Sequence, residues 1–460
     1  MKGENMNYSQ NLHTMKPNNL FTTIFASLQW FVYIFVNTIV VPISVGSAFV
    51  LDAQTISELV RNSLMITGIA CVLQGLIGHR LPLMEGHSGL MWGLVLNLSY
   101  AAAAMGMSLP EVGGGIAAGM LISGAAVAIL AAFDGLKFMQ KIFTPMVMSV
   151  FLFLLTFQLI LIFFIGMFKI APDGTVVWPE TLLALAAAVF VCLLKIMGGE
   201  RLGNFSILIG IVVGWIVHTL LFPQEQLLSS GGSSFGLTLF PLGAPNLNIS
   251  IIIVTCLASF INLSNTITAV ITGAQLLGEE ASQRRLNRSY MLNGVFSMAG
   301  GALGLVSFAP FSSSIGFLQS TRIFERKPFI IGGILMIGTG VLPFMSRLFA
   351  TIPVTIGNAV LLVAYFQLLG TSLNSIKGRV FDSITIHRIA IPVLVGLGIL
   401  SLDAAYFEGI PVLIRPLVSN GFITGILLSI LLELFIPWEK LEEKGRGQKD
   451  GQHGEQQREK

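Results

Sequence analysis

From about residue 20 to residue 438 the chain returns repeatedly to apolar runs of about 18 residues or more, the length a helix needs to cross ~30 Å of hydrocarbon. Only 11% of the 460 residues are charged and 54% are hydrophobic, whereas a soluble domain carries about 25% charged residues. With a mean hydropathy of +0.81, such a chain cannot cover a water-exposed surface, and the bilayer is its expected solvent. The apolar runs and their polar breaks predict about fourteen crossings, centred near residues 34, 69, 94, 123, 155, 187, 213, 260, 299, 317, 338, 362, 394 and 424. The tenth, from Pro310 to Ile323, is too short and too rich in Ser and Gly to span alone as a helix. The expected class is therefore an all-α polytopic membrane protein.

Charge tests this segmentation independently of hydropathy. With the N-terminus placed inside, all of the 26 Lys and Arg residues fall on the cytoplasmic side except Arg61, Lys169, Arg347 and Arg415. Cytoplasmic loops are enriched in this way, and one miscounted segment would invert every later loop. Both termini are thus expected in the cytoplasm of a multi-pass cell-membrane protein. Residues 1–19 read as a polar N-terminal tail rather than a signal peptide, because they lack a short apolar core and a small-residue cleavage site. Residues 439–460 read as a polar C-terminal tail. The segment 223–248, free of basic residues and rich in Gly, Ser and Pro, reads as an outside linker between a first seven-span repeat, 20–222, and a second, 249–438.

Three places in the first half have echoes in the second. Asn37-Thr38-Ile39 recurs as Asn265-Thr266-Ile267, and Pro82 recurs as Pro310, both at an offset of 228. Thr144-Pro145 followed by Phe157-Gln158-Leu159 recurs as Ile352-Pro353 followed by Phe366-Gln367-Leu368. An odd number of spans per half makes the halves opposite in orientation. Inverted repeats with interrupted segments at matching positions point to a transporter whose site lies near the midplane. Here the interruptions are the third span, around Pro82 to Gly89, and the tenth, around Pro310 to Gly316. Two half-helix N-termini there would aim backbone donors at carbonyl or anionic groups of a solute. Simple kinks in packed helices are the other reading.

At Gly316, followed by Thr321-Arg322-Ile323 and Arg326, the sequence resembles the nucleobase–ascorbate transporter family, which includes uracil and xanthine permeases. Ser27-Leu28-Gln29, Leu81-Pro82 with Gly86-His87-Ser88, and Asn287-Arg288-Ser289 with Asn293-Gly294 agree. The likeness runs from about Pro17 to Pro437. It implies a core domain of spans 1–4 and 8–11, a gate domain of spans 5–7 and 12–14, and uptake of a purine or pyrimidine base coupled to protons or sodium. The departures fall at functional positions. Trp30 stands where the family has His, Asn262 where it has Glu, and Ser313-Ser314 where it has Glu or Gln then Asn.

The candidate substrate-binding residues are Gln29, Trp30, Gly86, His87, Ser88, Phe260, Asn262, Ser313, Ser314 and Gly316. Trp30 and Phe260 could stack on a planar base, with ordinary packing as the alternative. Asn262, Ser264, Asn265, Ser313 and Ser314 could meet a base edge or bond between helices. Ionisable groups at membrane depth are functional candidates by default. Glu85, at the position matching 313 in the repeat, is the proton-coupling candidate, as a relocated carboxylate facing the same site. His87 could share its proton, since imidazole titrates near neutrality, or serve structurally. His218 and Glu433 lie near span ends, where reaching to the interface is expected.

Cys71, Cys192 and Cys256 show no paired spacing, so neither a disulfide framework nor a zinc site is expected. No nucleotide-binding loop or metal-spaced cluster argues for an enzyme, a cofactor or a metal. The expected function is secondary uptake of a nucleobase, with a purine favoured; an anion carrier on the same architecture is the alternative. Expected partners are the solute, a coupling proton or sodium ion, the bilayer and a second copy through the gate domain, with no nucleic acid.

Overall fold

The structure, a computed structural model, describes residues 20–102, 105–135, 144–171, 173–222, 238–342, 344–345, 348, 351–376, 381–407, 409–411 and 414–438. Both tails, most of the 223–248 linker, and Lys137, Lys141, Arg347, Lys377 and Arg379 lie outside the described residues.

Each of the fourteen expected centres falls within a helix. These are α1 (Leu20–Ala48), α2 (Ala53–Leu76), α3 (Gly89–Ala101), α4 (Leu109–Ala132), α5 (Pro145–Gly166), α6 (Trp178–Met197) and α7 (Gly199–Leu221) in the first half. The second half has α8 (Ile249–Leu276), α9 (Gln283–Leu303), α10 (Ser313–Thr321), α11 (Arg326–Val341), α12 (Val354–Ser375), α13 (Ser383–Leu400) and α14 (Gly421–Phe435), the last preceded by a single turn at Arg415–Val418. Among the described residues seven helices are long and apolar enough to cross a membrane by themselves. Caps set several boundaries. Asp52 accepts from the Gln54 and Thr55 N–H groups at the start of α2, and Ser108 with Glu111 forms a capping box on α4. Gly304, at φ 70°, lets the chain leave α9 in the left-handed conformation, which glycine adopts without a Cβ penalty.

The interrupted third and tenth segments share one construction. Two short strands, β1 (Glu85–His87) and β2 (Phe308–Pro310), pair antiparallel with Glu85 opposite Pro310, Gly86 opposite Ala309 and His87 opposite Phe308. The ladder extends beyond both ends, through Ser88 N–H to the Ser307 carbonyl and Phe311 N–H to the Met84 carbonyl, each 2.8 Å. Half-helices α3 and α10 begin directly after the strands. Non-helical backbone at membrane depth must find partners within the protein. Here each broken segment supplies them to the other.

The chain divides into two compact units, residues 1–136 with 163–364, and residues 137–162 with 365–460. In the first, α2 packs on α11 and α9 on α4, while α1 packs on α11 and α8 on α4. Exchanging the two halves converts each of these pairs into the other, so the packing carries the repeat. Close approach of glycines makes the first two contacts. A Cβ on Gly68 would lie 2.6 Å from the Gly333 carbonyl, and one on Gly294 would lie 2.5 Å from the Gly124 carbonyl. Small residues at helix crossings in this manner let backbones pack without a solvent-driven hydrophobic term.

In the second unit α13 packs on α14, with Gly396 and Gly421 back to back and Leu154 against both Gly396 and Gly425. Arg388 of α13 grips Glu433 of α14 through two 2.9 Å bonds, Nε to Oε1 and Nη2 to Oε2. Thr144 donates to the same carboxylate at 3.2 Å, and the Trp438 ring lies 5.2 Å from the guanidinium. Glu433, near the end of α14, is thus held by an ion pair. His218 is buried with Nε2 3.4 Å from Glu180, which also binds Lys169 at 2.5 Å.

Candidate functional site

The site is assembled in the first unit around the strand pair. Alternation along a strand sends successive side chains to opposite faces, and β1 with its flanks divides accordingly. Glu85 and His87 lie towards α2, where His87 Nε2 meets Ser63 Oγ at 2.6 Å and its ring packs on Phe308. Gly86 and Ser88 lie on the other face, towards α8 and α10. A Cβ on Gly86 would come within 2.8 Å of both Met84 Cε and the Phe311 ring, so this strand position accepts only glycine without repacking.

Ser88 caps α3, accepting from Met91 N–H at 3.4 Å and donating to Asn262 Oδ1 at 2.6 Å. Asn262 Oδ1 also accepts from Asn265 Nδ2 at 3.1 Å, while its Nδ2 donates to the Phe308 carbonyl at 3.1 Å. Both lone pairs of the amide oxygen and one of its two N–H donors are therefore engaged by protein. A carboxylate at this position could accept from Ser88 but could not donate to β2.

On the tenth segment the two serines separate. Ser314 is buried, its hydroxyl accepting from Met84 N–H at 3.0 Å and so fastening the start of β1 to α10. Ser313 is exposed, and its hydroxyl shares a 2.7 Å bond with Tyr33. Ser312, at the N-cap, makes no side-chain cap. Gly316 is exposed with open space where a Cβ would stand.

Trp30 is fully buried, with ring centroids of Tyr33, Phe317 and Phe329 at 5.7, 4.6 and 5.0 Å, all edge-on. It packs α1 against α10 and α11, and its indole nitrogen has no partner. Tyr33, which sequence reasoning missed, is the aromatic beside Ser313; it is half-buried and stacks on Phe317 at 4.4 Å. Gln29, Tyr33 and Asn37 follow one another at four-residue intervals, so they share one face of α1. That spacing is the signal that could have found Tyr33. The Gln29 side-chain oxygen is buried without a hydrogen-bond partner, an arrangement native interiors rarely leave unfilled. Phe260 is half-buried on α8.

Gln29, Tyr33, Phe311, Ser313 and Gly316 thus offer a surface of hydroxyl and amide groups, a flat aromatic and, at Gly316, an open glycine position, with buried Gly86 beneath Phe311. Ser88, Asn262, Ser314 and Trp30 hold the backbone of this surface from behind. Glu85 and His87 are placed on the α2 side of the same strand.

A family model described as Permease family matches residues 21–404. YwdJ of Bacillus subtilis, a proposed purine permease, is 28% identical over 433 residues, covering 91% of this chain and 96% of its own. The uric acid transporter UacT of Escherichia coli is 23% identical over 429 residues, covering 90% and 85%. Among solved structures, the transmembrane domain of a cyanobacterial bicarbonate transporter, BicA, superposes with a TM-score of 0.57 at 15% identity, covering 91% of this chain and 97% of that one. At that identity the likeness is one of fold.

Proposed function

The chain belongs to the Permease family, and from that premise we propose that it is a nucleobase carrier that takes up a purine, coupled to protons, across the cell membrane. The observation that carries this reading is the surface beside the strand crossing. A flat ring, Tyr33, stands there with the Ser313 hydroxyl and the unpartnered Gln29 oxygen. A purine presents ring N–H donors, acceptors and two π-faces, and it would satisfy these groups together. Base–aromatic stacking is worth about 1–3 kcal/mol. The uncapped start of α10 adds the positive end of a helix dipole towards the acceptors of the base. The printed purine and uric acid names of the relatives point the same way.

In this reading Glu85 carries the coupling proton. Spans 1–4 and 8–11 form the moving core and spans 5–7 and 12–14 the gate, through which two copies associate. Both termini lie in the cytoplasm, so a cysteine at Ser282 labels from inside and one at Thr175 from outside; labelling of both from one side would refute the arrangement.

Uptake of labelled adenine, hypoxanthine, xanthine and uric acid into proteoliposomes, with bases, nucleosides and anions as competitors, tests the function. Free purine bases should compete and nucleosides should compete weakly, because a surface fitted to one planar ring system leaves no place for ribose. Equal competition by nucleosides, or inhibition by bicarbonate or sulfate alone, would overturn the purine reading.

A further inference from the structure

Glu85 is fully buried, and neither carboxylate oxygen has a hydrogen-bond partner. His79, also fully buried, lies beside it with Nε2 3.4 Å from Oε1. The tautomer of that ring is fixed from behind. Leu81 N–H donates to His79 Nδ1 at 3.0 Å, so the ring proton resides on Nε2, the nitrogen beside Glu85, although the two groups are not aligned as a hydrogen bond in this closed arrangement. The turn that carries His79 is itself held, since its backbone N–H donates to Gln74 Oε1 at 3.3 Å. Gln74 Nε2 donates in turn to Asn293 Oδ1 at 2.6 Å and to the Ser289 carbonyl at 3.1 Å, and Asn293 Nδ2 donates to Thr266 Oγ1 at 2.8 Å. A continuous run of polar groups therefore braces the His79 ring from α8, through α9, to α2.

The other groups around Glu85 do not take the place of His79. The hydrogen bonds of the Cys71 thiol of α2 run to the Glu85 backbone, at 3.3 and 3.4 Å. His87 is engaged with Ser63, and Tyr33 of α1 with Ser313. Arg285 of α9 acts on His79 through space and pairs with Glu279 at 2.7 Å. Arg80, the residue after His79, is exposed, so the turn that carries His79 reaches the surface.

We propose that His79 is the positioning residue for Glu85, and that the two form the carrier's proton-exchange site on the α2 face of β1, opposite the face offered to the solute. This rests on the proton-coupled reading above. An ionised carboxylate whose charge no formed hydrogen bond offsets is heavily penalised in a dry interior, so the proton stays on Glu85 while the couple is closed. When it leaves, the O–H bond of Glu85 breaks, the proton passes to water at the Arg80 turn, and the electron pair remains on the carboxylate. His79 stays neutral throughout, because Leu81 occupies Nδ1. Its Nε2–H, already 3.4 Å from Oε1, then aligns on the new anion as a donor. Proton and solute then share a strand without sharing a surface, and the charge on Glu85 decides whether that strand can remain closed.

The test uses the full chain in proteoliposomes and reads the ratio of pH-gradient-driven purine accumulation to purine counterflow exchange, together with its pH profile. In Glu85→Gln the ratio should fall at least about tenfold. In His79→Leu it should fall about tenfold, and the pH of half-maximal driven uptake should move towards alkaline values, since an anion deprived of its donor forms less readily. His79→Gln, whose amide N–H reaches the place of Nε2, should recover most of the ratio and the profile. An unaltered profile in His79→Leu overturns the proposal. So does a His79→Gln profile displaced as far as the Leu variant, which also decides the matter if the Leu variant does not fold. Accumulation driven in the wild type by a sodium gradient and not by a pH gradient overturns it too. Absence of purine exchange in the wild type would instead remove the nucleobase reading itself.

Discussion

Ser88 donates to Asn262 Oδ1 at 2.6 Å, joining the first turn of α3 to the middle of α8, and Asn262 passes the connection on to the Phe308 carbonyl of β2. One amide thus ties both broken segments to an unbroken helix. Asn262→Asp tests this with no change in size. The carboxylate still accepts from Ser88 and Asn265 but loses the donor, leaving the Phe308 carbonyl unbonded against an oxygen. Removing one partner of a buried bond costs about 1–3 kcal/mol, so the variant should melt several degrees lower in detergent by tryptophan fluorescence. A melting temperature equal to that of the wild type would mean that the amide is not structural.

The glycine crossings make a sharper test, because controls lie in the same helices. Gly294→Ala would place its Cβ 2.5 Å from the Gly124 carbonyl, whereas Gly338 of α11 has nothing within 4 Å of its Cβ direction. Overpacking of this kind costs about 1–3 kcal/mol. Gly294→Ala should lower both the melting temperature and the yield of monodisperse protein, and Gly338→Ala should change neither. Equal behaviour of the two would contradict the backbone approach of α4 and α9.

The interruptions were legible in the sequence because Pro82 and Pro310 sit at equivalent positions of the two halves, 228 residues apart, each just before a cluster of small residues. The fourteen helix centres were legible because lipid demands long apolar runs whatever the tertiary contacts. Partners were harder to read. Asn262 was a visible polar residue, yet its bond to Phe308 spans 46 positions and depends on a strand crossing that hydropathy cannot encode. His79 stood in what read as a cytoplasmic turn, six positions before Glu85, a separation with no helical or strand period. Only the folded turn at Gln74 brings its ring to the carboxylate. The partners of His218 and Glu433 were illegible for the same reason, since they lie 38 and 45 positions away.

Arg388 and Glu433 allow a quantitative check on the second unit. Their side chains are 9% and 10% exposed, and the guanidinium meets the carboxylate through two parallel bonds, a geometry lysine cannot reproduce. Breaking a buried pair by removing one partner costs about 3–5 kcal/mol. Arg388→Met and Glu433→Leu should each destabilise strongly, while the double variant should recover much of the loss, because neither charge is then stranded. Additive losses in a double-mutant cycle, read by thermal melting, would show that the pair is not coupled.

Tyr33 is the position where the proposed solute contact can be separated from packing. Its hydroxyl bonds Ser313, and its ring stacks on Phe317 beside buried Trp30. Tyr33→Phe removes only the hydroxyl, which is worth about 1 kcal/mol, so purine KM should rise about fivefold with melting temperature nearly unchanged. Tyr33→Leu keeps apolar bulk against Phe317 but removes the aromatic face, and loss of about 1–3 kcal/mol of stacking should raise KM between roughly fivefold and a hundredfold. If the ring serves only to pack α1 on α10, the order reverses in kind: Tyr33→Leu would lower the melting temperature while leaving KM for every purine base where it was. Measured side by side, KM and melting temperature therefore decide whether the aromatic beside the strand crossing belongs to the solute or to the helices.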